Sequence, residues 1–224
     1  MNIKICGITS PEEALLAAEL GATHVGLNFY RPSPRYLSVE RARPIVRALR
    51  ALPARPLLVG VFVNEDVETI RRTLATHGID LAQLSGDESD AMLLQLGDCA
   101  YKAYRLGETA RTTFHPPVRG KRTPAFLIDA HIPGQYGGTG QTCDWTAAAG
   151  IARRYDVLLA GGLTPENVAQ AIQRVRPWGV DVASGVERAP GIKDARRMMA
   201  FVSNALAITE RKSSELQKPI LGRR

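Results

Sequence analysis

Short apolar runs alternate with helix-period segments along almost the whole chain, and this alternation limits the fold more than any other feature. Ile3–Cys6 precedes Pro11–Leu20, His24–Phe29 precedes Ser38–Leu52, and Leu57–Val63 precedes Asp66–His77. The pattern continues through Asp80–Leu84, Ser89–Leu96, Ala100–Leu106, Ala125–Asp129, Asp144–Tyr155, Val157–Ala160, Pro165–Val175, Val180–Ala183 and Lys193–Thr209. Read as strand and helix in turn, it predicts eight parallel strands joined by crossover helices, an α/β chain that closes as a single (β/α)8 barrel. The fifth crossover, residues 107–123, is interrupted by Pro116, Pro117 and Gly120 and is expected to be irregular. Residues 1–208 form the predicted barrel, and residues 209–224 read as a charged, flexible tail.

The chain's 224 residues, 45% of them hydrophobic, suffice for one core of this size. Aromatic content is low, as expected where small branched residues fill a sheet between helices. The formal charge is +7, and the tail from Glu210 to Arg224 holds five Lys/Arg against two Asp/Glu, so much of the excess lies outside the barrel. A basic balance suits an enzyme of anionic substrates, but it equally motivates a nucleic-acid-binding module. No stacking aromatics or nucleic-acid motif support the module, so the expectation is no nucleic-acid partner. Three scattered cysteines, Cys6, Cys99 and Cys143, form no CxxC pair, which points to a reducing compartment, the cytoplasm. No run of about 18 apolar residues occurs, so no membrane partner is expected. The sequence leaves monomer and homodimer open. The four histidines show no metal-ligand spacing, and no metal is predicted.

Strand parity adds chemistry. With Ile3 and Ile5 facing the outer helices, Asn2, Lys4 and Cys6 point into the lumen, and the same parity places Asn28, Asn64, Gln83, Asp129 and Asp181 inside near strand ends. Lys4 and Asp181 lie on the first and last strands, neighbours in a closed barrel, and an internal Lys4–Asp181 pair is the favoured reading of those two. Gly161 and Gly162 follow the seventh strand, and Ser184 and Gly185 follow the eighth. Glycine lets backbone N–H groups approach an anion, so paired turns at these two positions predict a phosphate cradle. A further glycine cluster after the sixth strand, with Gly138 and Gly140, is placed to fold over the same anion.

Six motifs in order then carry a resemblance. Lys4–Thr9 (KICGIT), Ser33–Tyr36 (SPRY), Leu127–Asp129 (LID), Gly137–Gly140 (GGTG), Ala160–Leu163 (AGGL) and Asp181–Glu187 (DVASGVE) are similar to the ordered signatures of phosphoribosylanthranilate isomerases. That resemblance implies an Amadori rearrangement in tryptophan biosynthesis that needs no cofactor. Asp129 would be the general acid and Cys6 the general base. Arg35 would hold the anthranilate carboxylate with its planar fork, while Gly138, Gly140, Gly161, Gly162, Asp181, Ser184 and Gly185 would bind the rest of the phosphorylated substrate. Three positions depart from the family pattern: Ser85 stands where a histidine is usual, Ala183 where a serine is common, and Cys143, after the GGTG loop, where an aromatic is common. An aminoimidazole isomerase of the histidine pathway is the nearest enzymatic rival, but it resembles a pair of opposed aspartates rather than a cysteine and an aspartate.

Overall fold

A computed structural model describes residues 1–106, 123–129 and 144–216, with side chains in the last helix as far as Ile208. Eight parallel strands close a barrel in chain order. They are β1 (Asn2–Cys6), β2 (His24–Asn28), β3 (Leu57–Phe62), β4 (Leu81–Leu84), β5 (Ala100–Arg105), β6 (Phe126–Asp129), β7 (Val157–Leu159) and β8 (Gly179–Val182). Parallel pairing of Lys4 with Asp181 and of Ile5 with Val182 closes the ring between β1 and β8.

Helices α1 (Pro11–Glu19), α2 (Val39–Arg50), α3 (Val67–His77), α4 (Asp90–Leu96), α5 (Trp145–Ala152), α6 (Val168–Val175) and α7 (Ala195–Leu216) surround the strands. Their starts are written in the sequence. Ser10, Ser38, Asp66 and Ser89 each accept a hydrogen bond from the backbone N–H three residues on, and Asp144 accepts from Thr146 and Ala147. Each such cap satisfies donors that the first turn leaves without partners, contributing about 1 kcal/mol.

Two apolar layers follow from the period of two along each strand. Ile3, Ile5, Val25, Leu27, Leu58, Ile128 and Val180 are fully buried between strands and helices, each contributing roughly 1.5–3 kcal/mol. The alternate residues Val59, Leu81, Tyr101, Leu127, Leu158 and Ala160 fill the lumen. Inward parity therefore holds for Lys4, Cys6, Asn28, Gln83, Asp129 and Asp181, but not for Asn64. On β3 the inward residues are Val59 and Val61. Asn64 lies past the strand end at φ 52°, and its Oδ1 accepts from the Asp87 N–H at 2.7 Å.

Three differences from the sequence reading concern boundaries. The segment from Leu163 to Asn167 forms a turn before α6, tied by Asn167 Oδ1 accepting from Thr164 N at 2.9 Å, so this helix begins at Val168 rather than Pro165. Between β8 and α7 stand a 3-10 turn (Ser184–Val186) and a hairpin of β9 (Glu187–Ala189) with β10 (Ile192–Lys193), elements the sequence did not suggest, and the helix expected from Lys193 begins at Ala195. The expected tail from residue 209 begins inside α7, which continues to Leu216. The irregular fifth crossover, Gly138, Gly140 and residues 217–224 lie outside the described residues. No helix of the described residues is long and apolar enough to cross a membrane.

Candidate active site

The C-terminal ends of the strands open into a cleft of about 790 Å³ that includes Cys6, Asn28, Arg35, Gln83, Ser85 and Asp129 in its lining. A second cleft of about 280 Å³ adjoins it, lined by Gly161, Gly162, Leu163, Ser184 and Gly185, and shares Asp129, Asp181 and Ala183 with the first. The combined hollow is thus polar at its large end and glycine-lined at its small end. That arrangement fits an elongated ligand with an anionic terminus.

At the floor of the large cleft, Lys4 Nζ donates to Asp181 Oδ1 at 2.7 Å, with Lys4 fully buried. The pair expected from strand order is therefore formed. Burial pulls the lysine down, but Asp181 more than restores its charge. Cys6 ends β1 on the same face. Burial pushes its thiol above the ordinary range, Lys4 pulls it down, Asp181 pushes it up, and Lys193 pulls it down again. A Cβ on Gly26 of the neighbouring strand would lie 2.7 Å from the Cys6 sulfur. Glycine at this strand position is what gives the sulfur its room.

Asn28 shapes the loop that follows β2. Its Oδ1 accepts from Tyr30 N at 2.8 Å, its Nδ2 donates to Ser33 Oγ at 3.2 Å, and that oxygen accepts from Arg35 N at 3.1 Å. The Arg35 side chain crosses Gly7, where a Cβ would come within 2.4 Å of Arg35 Cδ, and Gly7 itself sits at φ +73°. The guanidinium ends on Glu187, with Nε to Oε1 and Nη2 to Oε2 both 2.7 Å. Lys193 Nζ donates to the same Oε1 at 2.8 Å and to Ala183 O at 3.0 Å. Burial pushes the Glu187 carboxyl up, but Arg35 and Lys193 hold it below the usual range.

Opposite, Tyr101 donates to Gln83 Oε1 at 2.9 Å, and Gln83 Nε2 donates to Ser85 Oγ at 3.0 Å. A hydrogen-bonded line thus runs from the lumen through Gln83 to Ser85 at the cleft. Arg105, at the end of β5, also lines the cleft, with Nη1 3.7 Å from the exposed Asp87 carboxylate. Beneath that rim, Glu88 takes the N–H groups of Asn64 and Gly86 and pairs with Lys102, which fixes the loops after β3 and β4.

The small cleft is made by two interlocked turns. Gly161 and Gly162 adopt φ +88° and +66°, where side chains are strained. A Cβ on Gly185 would stand 1.9 Å from Leu163 O, so the turn after β8 rests directly on the turn after β7.

The structure therefore brings Cys6, Arg35, Asp129, Asp181, Gly161, Gly162, Ser184 and Gly185 to one mouth. Sequence reasoning missed Glu187, Lys193 and Arg105 as members of the site. Glu187 stands at the end of a quoted motif, but nothing in the sequence says that the hairpin turns it back onto Arg35. Among the described residues, no group of three or more His, Cys, Asp or Glu lies together in a metal-binding arrangement.

Residues 3–204 match the family model described as N-(5'phosphoribosyl)anthranilate (PRA) isomerase. An N-(5'-phosphoribosyl)anthranilate isomerase of Roseiflexus castenholzii is 46% identical over 215 residues, covering 92% of this chain and 99% of the relative. The crystal structure of phosphoribosyl anthranilate isomerase from Thermotoga maritima superposes with a TM-score of 0.79 at 35% identity, over 92% of this chain and 99% of that one. A phosphoribosyl anthranilate isomerase solved in complex with reduced 1-(o-carboxyphenylamino)-1-deoxyribulose 5-phosphate gives 0.73 at 34% identity, again over 92% and 99%. With fold, cleft and sequence in agreement along nearly the whole chain, this protein belongs to the N-(5'-phosphoribosyl)anthranilate isomerase family.

Proposed function

We propose that the protein converts N-(5'-phosphoribosyl)anthranilate into 1-(2-carboxyphenylamino)-1-deoxyribulose 5-phosphate, an Amadori rearrangement in tryptophan biosynthesis. The observation that carries this reading is that Cys6 and Asp129, from β1 and β6, line one cleft that continues into a glycine-lined pocket. The phosphate would lie in the small cleft against Gly161, Gly162, Ser184 and Gly185, with Gly138 and Gly140 completing its enclosure. The anthranilate ring would occupy the large end, its carboxylate turned to Arg35. Asp181, already anchored by Lys4, would accept from a sugar hydroxyl between the two.

In this geometry Asp129 gives its proton to the ribose ring oxygen as the C1′–O bond breaks, leaving an iminium and a carboxylate. The Cys6 thiolate then takes the C2′ proton, and the electron pair of that C–H bond moves to form the enolamine. In the last tautomerisation C1′ gains a proton and the 2′-hydroxyl loses one, giving the ketone. Proton transfers of this kind from positioned groups contribute about a hundredfold or more each. The work asked of the protein is to place one acid and one base on either side of the sugar and to hold the phosphate fixed. This reading describes a cytoplasmic enzyme, monomeric or homodimeric, acting on a small phosphorylated substrate.

Loss of the substrate's fluorescence measures turnover directly. Wild-type turnover reduced about a hundredfold or more in Cys6→Ala and in Asp129→Asn is the expected result. An inactive wild type, or full activity in either variant, overturns the corresponding assignment.

A further inference from the structure

We infer that Lys193, carried on the hairpin between β8 and α7, is a positioning cation that, together with Lys4, keeps Cys6 available as a thiolate. The inference rests on Cys6 being the base, and it concerns how a buried thiol comes to ionise. Lys4 is the nearest cation in sequence, but Asp181 holds it at 2.7 Å. Arg35 is likewise matched by Glu187 at two points, each 2.7 Å. Lys193 shares that same carboxylate, at 2.8 Å, and so has no counter-charge to itself. Its side chain is 1% exposed.

The charge of the buried groups can therefore be counted. Among the described residues of this ion-paired network, Lys4, Arg35 and Lys193 are three cations and Asp181 and Glu187 two anions, while the buried Lys102–Glu88 pair beside β4 is balanced in itself. Within this network one positive charge is left over, in surroundings where an uncompensated charge is strongly disfavoured. A Cys6 thiolate brings the count to zero. Tyr101 is held neutral by burial, which pushes its hydroxyl up, and Asp129 enters as the protonated acid of the proposed mechanism. Arg105 faces the cleft with Asp87 beside it. His24 lies one layer below, edge-on to Trp178. Tyr30 lines the cleft from the β2 loop. Outside the buried set, Glu13 takes the Lys193 backbone N–H and Arg197 donates to Glu187 O. These two have opposite sign and lie nearer solvent, which screens them.

Position supports the count. Lys193 Nζ reaches Ala183 O, and Ala183 lines the cleft together with Cys6. The Arg35 chain lies across Gly7, the residue after Cys6, so the Arg35–Glu187–Lys193 triangle sits against the turn that follows the thiol. Lys4 pulls the thiol down against burial and Asp181, and Lys193 adds to that pull; burial in turn lowers the Lys193 ammonium, against which Glu187 and Cys6 raise it.

The test reads ionisation rather than turnover. In a Cys99→Ser/Cys143→Ser background, the rate of Cys6 alkylation by iodoacetamide is followed against pH at the peptide level. Lys193→Gln is expected to move the midpoint up by about one pH unit or more, making alkylation about tenfold slower below it. Glu187→Gln is expected to move it down, because the surplus then rises to two charges, and Lys193→Arg is expected to restore the wild-type curve. Loss of packing alone would shift the first two variants in the same direction. An unchanged midpoint in Lys193→Gln, or shifts of one sign in both variants, overturns the inference. If Lys193→Gln does not fold, Glu187→Gln decides by its sign. Turnover of Cys6→Ala in the same background separates the two levels. Full activity there removes the base assignment, whereas an inactive Cys6→Ala with unmoved midpoints removes only the role of Lys193.

Discussion

Arg35 and Glu187 meet edge to edge, two parallel N–H···O bonds of 2.7 Å joining the loop after β2 to the hairpin after β8. The carboxylate takes one edge of the guanidinium and fixes its plane, so a ligand carboxylate must be met by the donors that remain. Lysine in this place supplies one point charge and no plane. Arg35→Lys is therefore expected to raise KM for phosphoribosylanthranilate about tenfold to a hundredfold, from loss of about 1.5–3 kcal/mol of charged hydrogen bonding, with kcat changed much less. Steady-state kinetics check this. The phosphoribosyl adduct of aniline, which lacks the ring carboxylate, should show the same KM with both enzymes, and a difference there would count against carboxylate recognition.

The same pair makes stability depend on acid. Burial pushes Glu187 up, but the hydrogen bonds and charges of Arg35 and Lys193 outweigh it, so its folded pKa lies below its ordinary, unfolded value. A group of this sign stabilises the fold above the unfolded pKa, and that contribution is lost as pH falls through the folded one. Asp80, gripped by Arg55 at 2.6 and 2.8 Å and also held low, acts alike. Melting temperature should fall from pH 5 towards pH 3, and less steeply in Glu187→Gln than in the wild type. Parallel curves in thermal melts would exclude Glu187 as a contributor.

Removing Lys4 isolates Asp181. Lys4→Met leaves a buried carboxylate without its cation, which costs about 3–5 kcal/mol and lowers the melting temperature by roughly 10 °C for a chain of this size. Much of the loss should return in Lys4→Met/Asp181→Leu, where neither charge is buried, although substrate binding should not. Differential scanning calorimetry distinguishes the two. A double variant no more stable than the single one would show that the pair acts through shape rather than charge.

What was legible beforehand follows the range of the interactions involved. Strand parity along β1 put Lys4 and Cys6 inward, and closure of the ring set Lys4 beside Asp181, because period and strand order are local or topological facts. Asn64 broke the rule because Val59, Val61 and Val63 carry the inward parity of this segment, so Asn64 falls on the outward one, and the chain turns there at positive φ. The hairpin of β9 and β10 stayed hidden for another reason. Its strands have three and two residues, too few for a period to show, and Gly191 turns between them at φ +78°. With it went Glu187 and Lys193: Glu187 pairs with Arg35, 152 residues away, and Lys193 reaches back over the hairpin to Glu187 and to Ala183 O. The start of α6 was misplaced since Pro165 reads as a first-turn residue, whereas the Asn167 side chain holds Thr164–Asn167 in a separate turn.

The phosphate assignment can be tested at one atom. At Gly185 a Cβ would stand 1.9 Å from the carbonyl oxygen of Leu163 and 3.2 Å from Thr164 Cα, backbone on both counts, so no side-chain movement relieves it. Gly185→Ala must separate the turn after β8 from the turn after β7, and with it the N–H groups that would share an anion. At Gly150, within α5, the nearest atom to an added Cβ is the end of Arg153 at 3.8 Å, and alanine there should stabilise by about 0.5–1 kcal/mol. The expected contrast is a KM for phosphoribosylanthranilate and an inhibition constant for inorganic phosphate both raised about tenfold or more in Gly185→Ala, as loss of charge-assisted hydrogen bonds implies, and both unchanged in Gly150→Ala. Should inorganic phosphate inhibit Gly185→Ala as well as it inhibits the wild type, the phosphate does not lie between these turns. The glycines would then serve only to let β7 and β8 pack their turns together.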